Sequence, residues 1–221
     1  MWYDEKVDID KVYSTLKKYV KDLPVPVVEL IETQTKDPFK ILVTTILSAR
    51  TKDQTTAAVV KKLFKKIKKY SDFNKYSEKQ IEELIYPIGF YKNKAKQLKK
   101  LPLVLKEEFS GKIPSTIDEL IKLPGVGRKT ANLVLAVAFN KHAICVDVHV
   151  HRISNRLGYL KTKTPYESEM KLREILPKKY WKTFNTYLVA FGQHTCTPIS
   201  PHCSKCPITK WCNRIGVEKT R

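Results

Sequence analysis

The chain has 221 residues, enough for one large or two small domains, and its apolar fraction of 42% is too high for a disordered basic tail. Forty-two Lys and Arg against 22 Asp and Glu give a formal charge of +20, so a polyanion is the first partner to expect. The seven glycines form neither GxGxxG nor GxxxxGK[ST], which argues against a dinucleotide site and a P-loop, and no apolar run approaches the length of a membrane span.

The opening MWYDEKVDID carries acids where a signal peptide needs a basic end and an apolar run, so a soluble intracellular protein is expected. Asp8 to Val20 then places Ile9, Val12, Leu16 and Val20 at helical spacing, until Leu23-Pro24-Val25-Pro26 breaks the pattern. Pro38 stands at the first helical position of an apolar segment, Phe39 to Leu47. Asp53 to Ile67 sets Ala57, Val60, Leu63 and Phe64 against an outer face of lysines, and the lysines at 61, 62, 65, 66, 68 and 69 read as solvated. Ser77 and Gln80 form a capping box for a helix reaching about Pro87. Tyr91 to Phe109 is long, amphipathic and lysine-rich.

Ser115 starts a short helix ending at Leu123, and Gly127 to Asn140 is apolar enough to be buried all round. Asp147 to Leu157, Tyr166 to Leu176 and Trp181 to Gly192 bring the expectation to about ten helices. No run alternates with period two for long enough to propose a sheet, so the fold class is all-α. A seam is expected near Asn140-Lys141-His142, with the first helix packing onto the C-terminal part.

Two motifs carry chemistry. Leu123-Pro-Gly-Val-Gly-Arg-Lys129 joins two helices; glycines at 125 and 127 allow a tight turn and close approach of a ligand. The helix that follows presents free N–H groups and a positive dipole end, which suit a phosphate. Cys196, Cys203, Cys206 and Cys212 follow the spacing C-x6-C-x2-C-x5-C. Four thiolates hold either tetrahedral zinc or an iron–sulfur cluster; a single CxxC with wide flanking spacings suits a body larger than one ion. Cys145, apart from the others, reads as a small buried apolar residue. His149 and His151 with Asp147 are not read as a metal site, because helical residues two apart do not share a face.

Together, LPGVGRKTAN, the following VDVHVHR and the cysteine tail resemble the endonuclease III family, and ILSARTKDQ and IGFYKNKA extend the resemblance over nearly the whole chain. The resemblance implies a two-domain helix-hairpin-helix glycosylase fold with the active-site cleft between a six-helix domain, residues 30–141, and a cluster-bearing domain joining 1–29 to 142–221. It implies an enzyme, a bifunctional DNA glycosylase/AP lyase of base excision repair acting on oxidised pyrimidines, with a [4Fe-4S] cluster. The partner would be damaged double-stranded DNA, the protein a monomer with no membrane association, located in the cytoplasm or nucleoid of a prokaryote.

Carried over position by position, Lys129 is the nucleophile and Asp147 the catalytic aspartate. Gly125 and Gly127 touch the DNA backbone, and Phe90 is the apolar wedge in the base stack. Cys196, Cys203, Cys206 and Cys212 are the cluster ligands. A lysine in the first turn of a buried helix would have its amine pKa lowered by desolvation and by the dipole. Asp147 also stands where an N-cap is expected.

Two departures stand out. Arg50 occupies the place of a glutamine that fills the gap left by the flipped nucleotide, and its planar fork would alter the preference for the opposite base. The loop TPISPH between Cys196 and Cys203 lacks the basic residues that bacterial members place there, leaving Lys205 and Lys210 as substitutes. The alternatives are a monofunctional glycosylase for thymine or uracil in mismatches or for adenine, and a non-catalytic DNA-binding module with structural zinc.

Overall fold

The computed structural model describes residues 7–23 and 36–221, and these divide into two compact units on either side of Lys141. Residues 36–141 form one; residues 7–23 join His142–Arg221 in the other. The boundary expected at residue 29 and the break at Pro24–Pro26 lie outside the described residues. Ten α-helices and several 3-10 turns occur among the described residues, with no strand. None of these helices is long and apolar enough to cross a membrane.

The first helix, α1 (Ile9–Tyr19), belongs to the discontinuous unit and is taken up with it below. In the unit 36–141, α2 (Pro38–Ser48) begins where Asp37 accepts a hydrogen bond from the Phe39 amide at 2.9 Å and Pro38 presets the backbone. Ile41, Leu42, Val43 and Leu47 are fully buried, which makes α2 the core helix of this unit. Helix α3 (Asp53–Lys66) buries Val59, Val60 and Leu63 and exposes the lysines at 61, 62, 65 and 66. The capping box at Ser77 and Gln80 is formed and starts α4 (Glu78–Ile85), which packs on α5 (Tyr91–Phe109).

Two expected boundaries shift. The short helix is α6 (Ile117–Leu120), and its cap is Thr116 rather than Ser115, because the Thr116 hydroxyl is the one that accepts from the Glu119 amide. Helix α7 (Arg128–Ala138) packs on α2 and is not buried all round. Ala131, Val134 and Leu135 face the core, but the first turn projects outward and exposes Lys129.

A buried carboxylate ties down the 3-10 turn Tyr70–Lys75 in the same unit. Asp72 accepts from the Lys68 and Lys69 amides at 2.9 and 3.1 Å and pairs with Lys75 at 2.9 Å. The Lys75 ammonium, then the two amides, hold its pKa at about 2 against an ordinary 3.8. A depressed carboxylate contributes stability that is complete above its unfolded value and lost as pH falls through the folded one. Asp72→Asn should therefore cost about 1–3 kcal/mol near neutral pH. Urea unfolding of variant and parent should show that gap closing between pH 4 and pH 2; a gap unchanged over that window would count against the assignment.

In the discontinuous unit, α1 inserts Val12 and Leu16 into a core shared with Phe184, Leu188 and Phe191 of α10 (Trp181–His194). Tyr13 stacks on Tyr180 with ring centroids 3.8 Å apart, and Tyr180 donates to Asp10. Helices α8 (Val148–Leu157) and α9 (Pro165–Ile175) complete the layer, and Ile208 anchors the C-terminal loop to the same core.

Candidate active site and nucleic-acid interface

The hairpin between α6 and α7 turns at Gly125, whose φ of +79° favours glycine, and a Cβ there would stand 2.6 Å from Gln97 Oε1. Gly127 differs. Its backbone is extended, a conformation any residue adopts, and a Cβ would meet nothing within 4 Å. Neither local conformation nor neighbouring atoms require glycine at 127, and the space above it is open. Two residues on, Lys129 lies in the first turn of α7, where the positive end of the helix dipole favours an anion. The desolvation expected of Lys129 is not found: its side chain is exposed.

A second surface in the same unit comes from two loops. Arg50, just after α2, and Phe90, just before α5, are both exposed and both left-handed, with φ of 54° and 59°. For non-glycine residues each such conformation costs about 1 kcal/mol or more. The Arg50 guanidinium lies 5.3 Å from the Phe90 ring centroid. The loops are locked together: the Gly89 amide donates to Thr51 Oγ1 at 3.0 Å, and a Cβ on Gly89 would stand 2.4 Å from the Arg50 carbonyl. Phe90 is 61% exposed and so is not a core residue.

Beneath these loops lies Lys94, a residue sequence reasoning missed. It is buried, and its ammonium donates to the carbonyls of Leu47 and Ala49 at 2.9 and 2.6 Å, the end of α2. Burial pushes its pKa down to about 8. The signal was its place on the apolar stripe of α5: Lys94 precedes Leu98, Leu101 and Leu105 at helical spacing.

In the discontinuous unit, Asp147 is buried and caps α8, accepting from the His149 and Val150 amides at 2.9 Å each. The expected cap is formed, on a carboxylate that is itself largely out of water. His149 contacts Arg152 and His151 contacts Ser168, so the two histidines serve different neighbours. Cys145 is buried.

Cys196, Cys203, Cys206 and Cys212 line one cavity, walled by Ile153, Leu157, Phe191 and Ile208. Among the described residues, no three His, Cys, Asp or Glu side chains are grouped as a single metal ion would need. Burial pushes the Cys206 thiol up to about 11 and raises Cys212 as well. Donors approach the sulfurs: Arg156 Nη1 reaches Cys196 Sγ at 3.5 Å and the Arg214 amide reaches Cys212 Sγ at 3.4 Å. Arg156 also holds the carbonyls of Thr197 and Pro198, fixing the loop that carries Cys196. A shared apolar cavity with N–H donors beside two of the sulfurs suits thiolates that bind a metal group. Lys205 and Lys210 are exposed on this loop.

Residues 43–178 match the HhH-GPD family, described as HhH-GPD superfamily base excision DNA repair protein. Endonuclease III of Thermotoga maritima is 44% identical over 176 residues, which cover 80% of this chain and 83% of that protein. The chain belongs to the endonuclease III family. Its fold is likewise that of endonuclease III: the structure of a non-covalent endonuclease III–DNA complex matches with a TM-score of 0.84 at 35% identity, over 96% of this chain and 97% of that one. A trapped endonuclease III–DNA covalent intermediate matches with a TM-score of 0.82 at the same identity and coverage. The stretch matched to the HhH-GPD family contains Arg50, Phe90, Gly125, Gly127, Lys129 and Asp147 and ends before the four clustered cysteines. For this member of the endonuclease III family, the cysteine loop therefore rests on its own geometry and on the matches over the whole fold.

Proposed function

We propose that this protein is a DNA glycosylase/AP lyase of base excision repair that removes oxidised pyrimidines from duplex DNA and cuts the strand at the resulting AP site. The observation that carries this reading is membership of the endonuclease III family together with a lysine, Lys129, at the open N-terminus of the hairpin's second helix. Gly127 leaves the space in which a phosphate can meet that helix end. Arg50 and Phe90 are the exposed pair offered to the base stack, and the target base leaves the duplex before reaction.

The Lys129 amine attacks C1′ of the damaged nucleotide, the C1′–N bond breaks, and the base departs with a proton. Ring opening leaves a Schiff base between Lys129 and C1′. Loss of a proton from C2′ then expels the 3′ phosphate by β-elimination, and water releases the lysine. Asp147 stabilises the positive charge on the sugar and moves the protons these steps require.

Incubation with duplexes carrying one oxidised pyrimidine should give a cut strand ending in the unsaturated sugar. Free base with an intact AP strand would instead establish a monofunctional glycosylase.

The four cysteines are the ligands proposed for a [4Fe-4S] cluster, on their spacing, their common cavity and the donors beside their sulfurs. When bound, it would join the C-terminal loop to the core that Ile208 already anchors. Protein purified without air should be brown, absorb near ~400 nm and carry roughly four irons per chain. Cys203→Ser should lose the colour and lower the thermal midpoint. Zinc without iron in the parent protein would overturn the assignment.

A further inference from the structure

We infer that Lys94 is a positioning residue that holds Arg50 and Phe90 as one stacked unit, so that opening the base stack and filling the gap it leaves are coupled. The inference rests on the proposed entry of Arg50 and Phe90 into DNA. It adds a buried residue that touches neither DNA nor the reacting atoms.

The geometry behind it is local to the unit 36–141. Arg50 and Phe90 come from loops far apart in sequence, and neither left-handed conformation is one that its residue type favours. Something must over-determine both. Phe90 immediately precedes α5, and Lys94, one turn into that helix, donates its amide to the Phe90 carbonyl at 3.1 Å. The side chain of Lys94 then reaches the end of α2 and gathers the Leu47 and Ala49 carbonyls, the second of which immediately precedes Arg50. One residue thus fixes the backbone before the arginine and the backbone after the phenylalanine. The Gly89–Thr51 hydrogen bond closes the arrangement from the other side.

A lysine suits this task. Its three donors serve several carbonyls at once, which a neutral apolar side chain of equal length cannot do. The penalty of burying the charge is tolerated because those carbonyls replace water. With the two loops held, Arg50 and Phe90 meet DNA already stacked, and little ordering remains to be done on binding.

The test is a double-mutant cycle in single-turnover excision, with thermal midpoints recorded for each protein. Lys94→Met, Arg50→Ala and the combined variant are assayed on an oxidised pyrimidine paired with a purine. They are then assayed on the same lesion facing an abasic-site analogue, where no orphan base needs a partner. On the paired lesion Lys94→Met should lose about tenfold, the scale of a misplaced contact, and on the lesion facing the gap about twofold at most. Arg50→Ala should show the same contrast, and the double variant should lose no more than the worse single one.

Equal losses on both duplexes, or losses that multiply in the double variant, would make Lys94 a mere fold support and overturn the inference. If Arg50→Ala shows the contrast and Lys94→Met does not, the inference fails alone. If Arg50→Ala shows no contrast, the entry of Arg50 into DNA fails and takes the inference with it. Should Lys94→Met not fold, Lys94→Gln, which keeps an N–H donor without the charge, is read by the same criteria.

Discussion

The Lys129→Gln protein should form no covalent adduct with an AP-site duplex under borohydride, and strand cleavage should fall by roughly a thousandfold or more, the scale of a lost nucleophile. Borohydride reduces a carbon–nitrogen double bond to a stable amine, so trapping reports directly on the nitrogen that attacked the sugar. Glutamine, one atom shorter, keeps a polar N–H donor and removes the nucleophilic amine. Because Lys129 is exposed in the first turn of α7, the exchange should shift stability by only about 0.5 kcal/mol. DNA affinity should change little, since one charge is lost from a formal +20. Gel separation of the adduct, fluorescence anisotropy and a thermal melt read the three quantities. An adduct formed at the parent rate would remove Lys129 from the chemistry.

Asp147→Asn should lower base excision by two or more powers of ten, the usual scale for a lost acid–base or electrostatic group, while melting close to the parent. Two roles meet on this side chain, and the substitution separates them. Asparagine is as good an N-cap as aspartate and retains an oxygen for the His149 and Val150 amides. The negative charge goes, and with it the means to stabilise a cationic sugar. Cleavage of a pre-formed AP site should suffer less, because no base has to leave. Steady-state excision, AP cleavage and a calorimetric scan on one preparation settle the matter. A variant that is unfolded, or one with full excision, would leave Asp147 as a cap and nothing more.

Helix starts were legible wherever a side chain announces them: Asp37 before Pro38, and Ser77 with Gln80, cap as their residue types require. The catalytic candidates and the proposed cysteine ligands come from motif and spacing, which are one-dimensional. What sequence could not convey was the setting of each side chain. An apolar composition over Gly127 to Asn140 suggested burial throughout, yet the first turn of that helix reaches the surface, and Lys129 is exposed with it. Ser115 and Thr116 are equally good caps by type, and only the helical register chose between them. Arg50 and Phe90 in left-handed conformations were invisible, because no residue-type rule places a non-glycine there. Lys94 was hidden among many lysines, its position on an apolar stripe outweighed by the habit of reading lysine as solvated.

The discontinuous unit also bears on how the chain is made. Helix α1 leaves the ribosome well before α10, yet the apolar partners of Val12 and Leu16 include Phe184, Leu188 and Phe191. At usual rates of synthesis, roughly ten to thirty seconds separate the two ends of that contact. Residues 36–141 are complete in the interval and have their own core, so they can fold while α1 waits with its apolar face uncovered. The four clustered cysteines emerge after the ten helices described above. The birth order of the nascent chain therefore favours a finished hairpin unit first, capture of the waiting helix second, and closure of the cysteine loop after both.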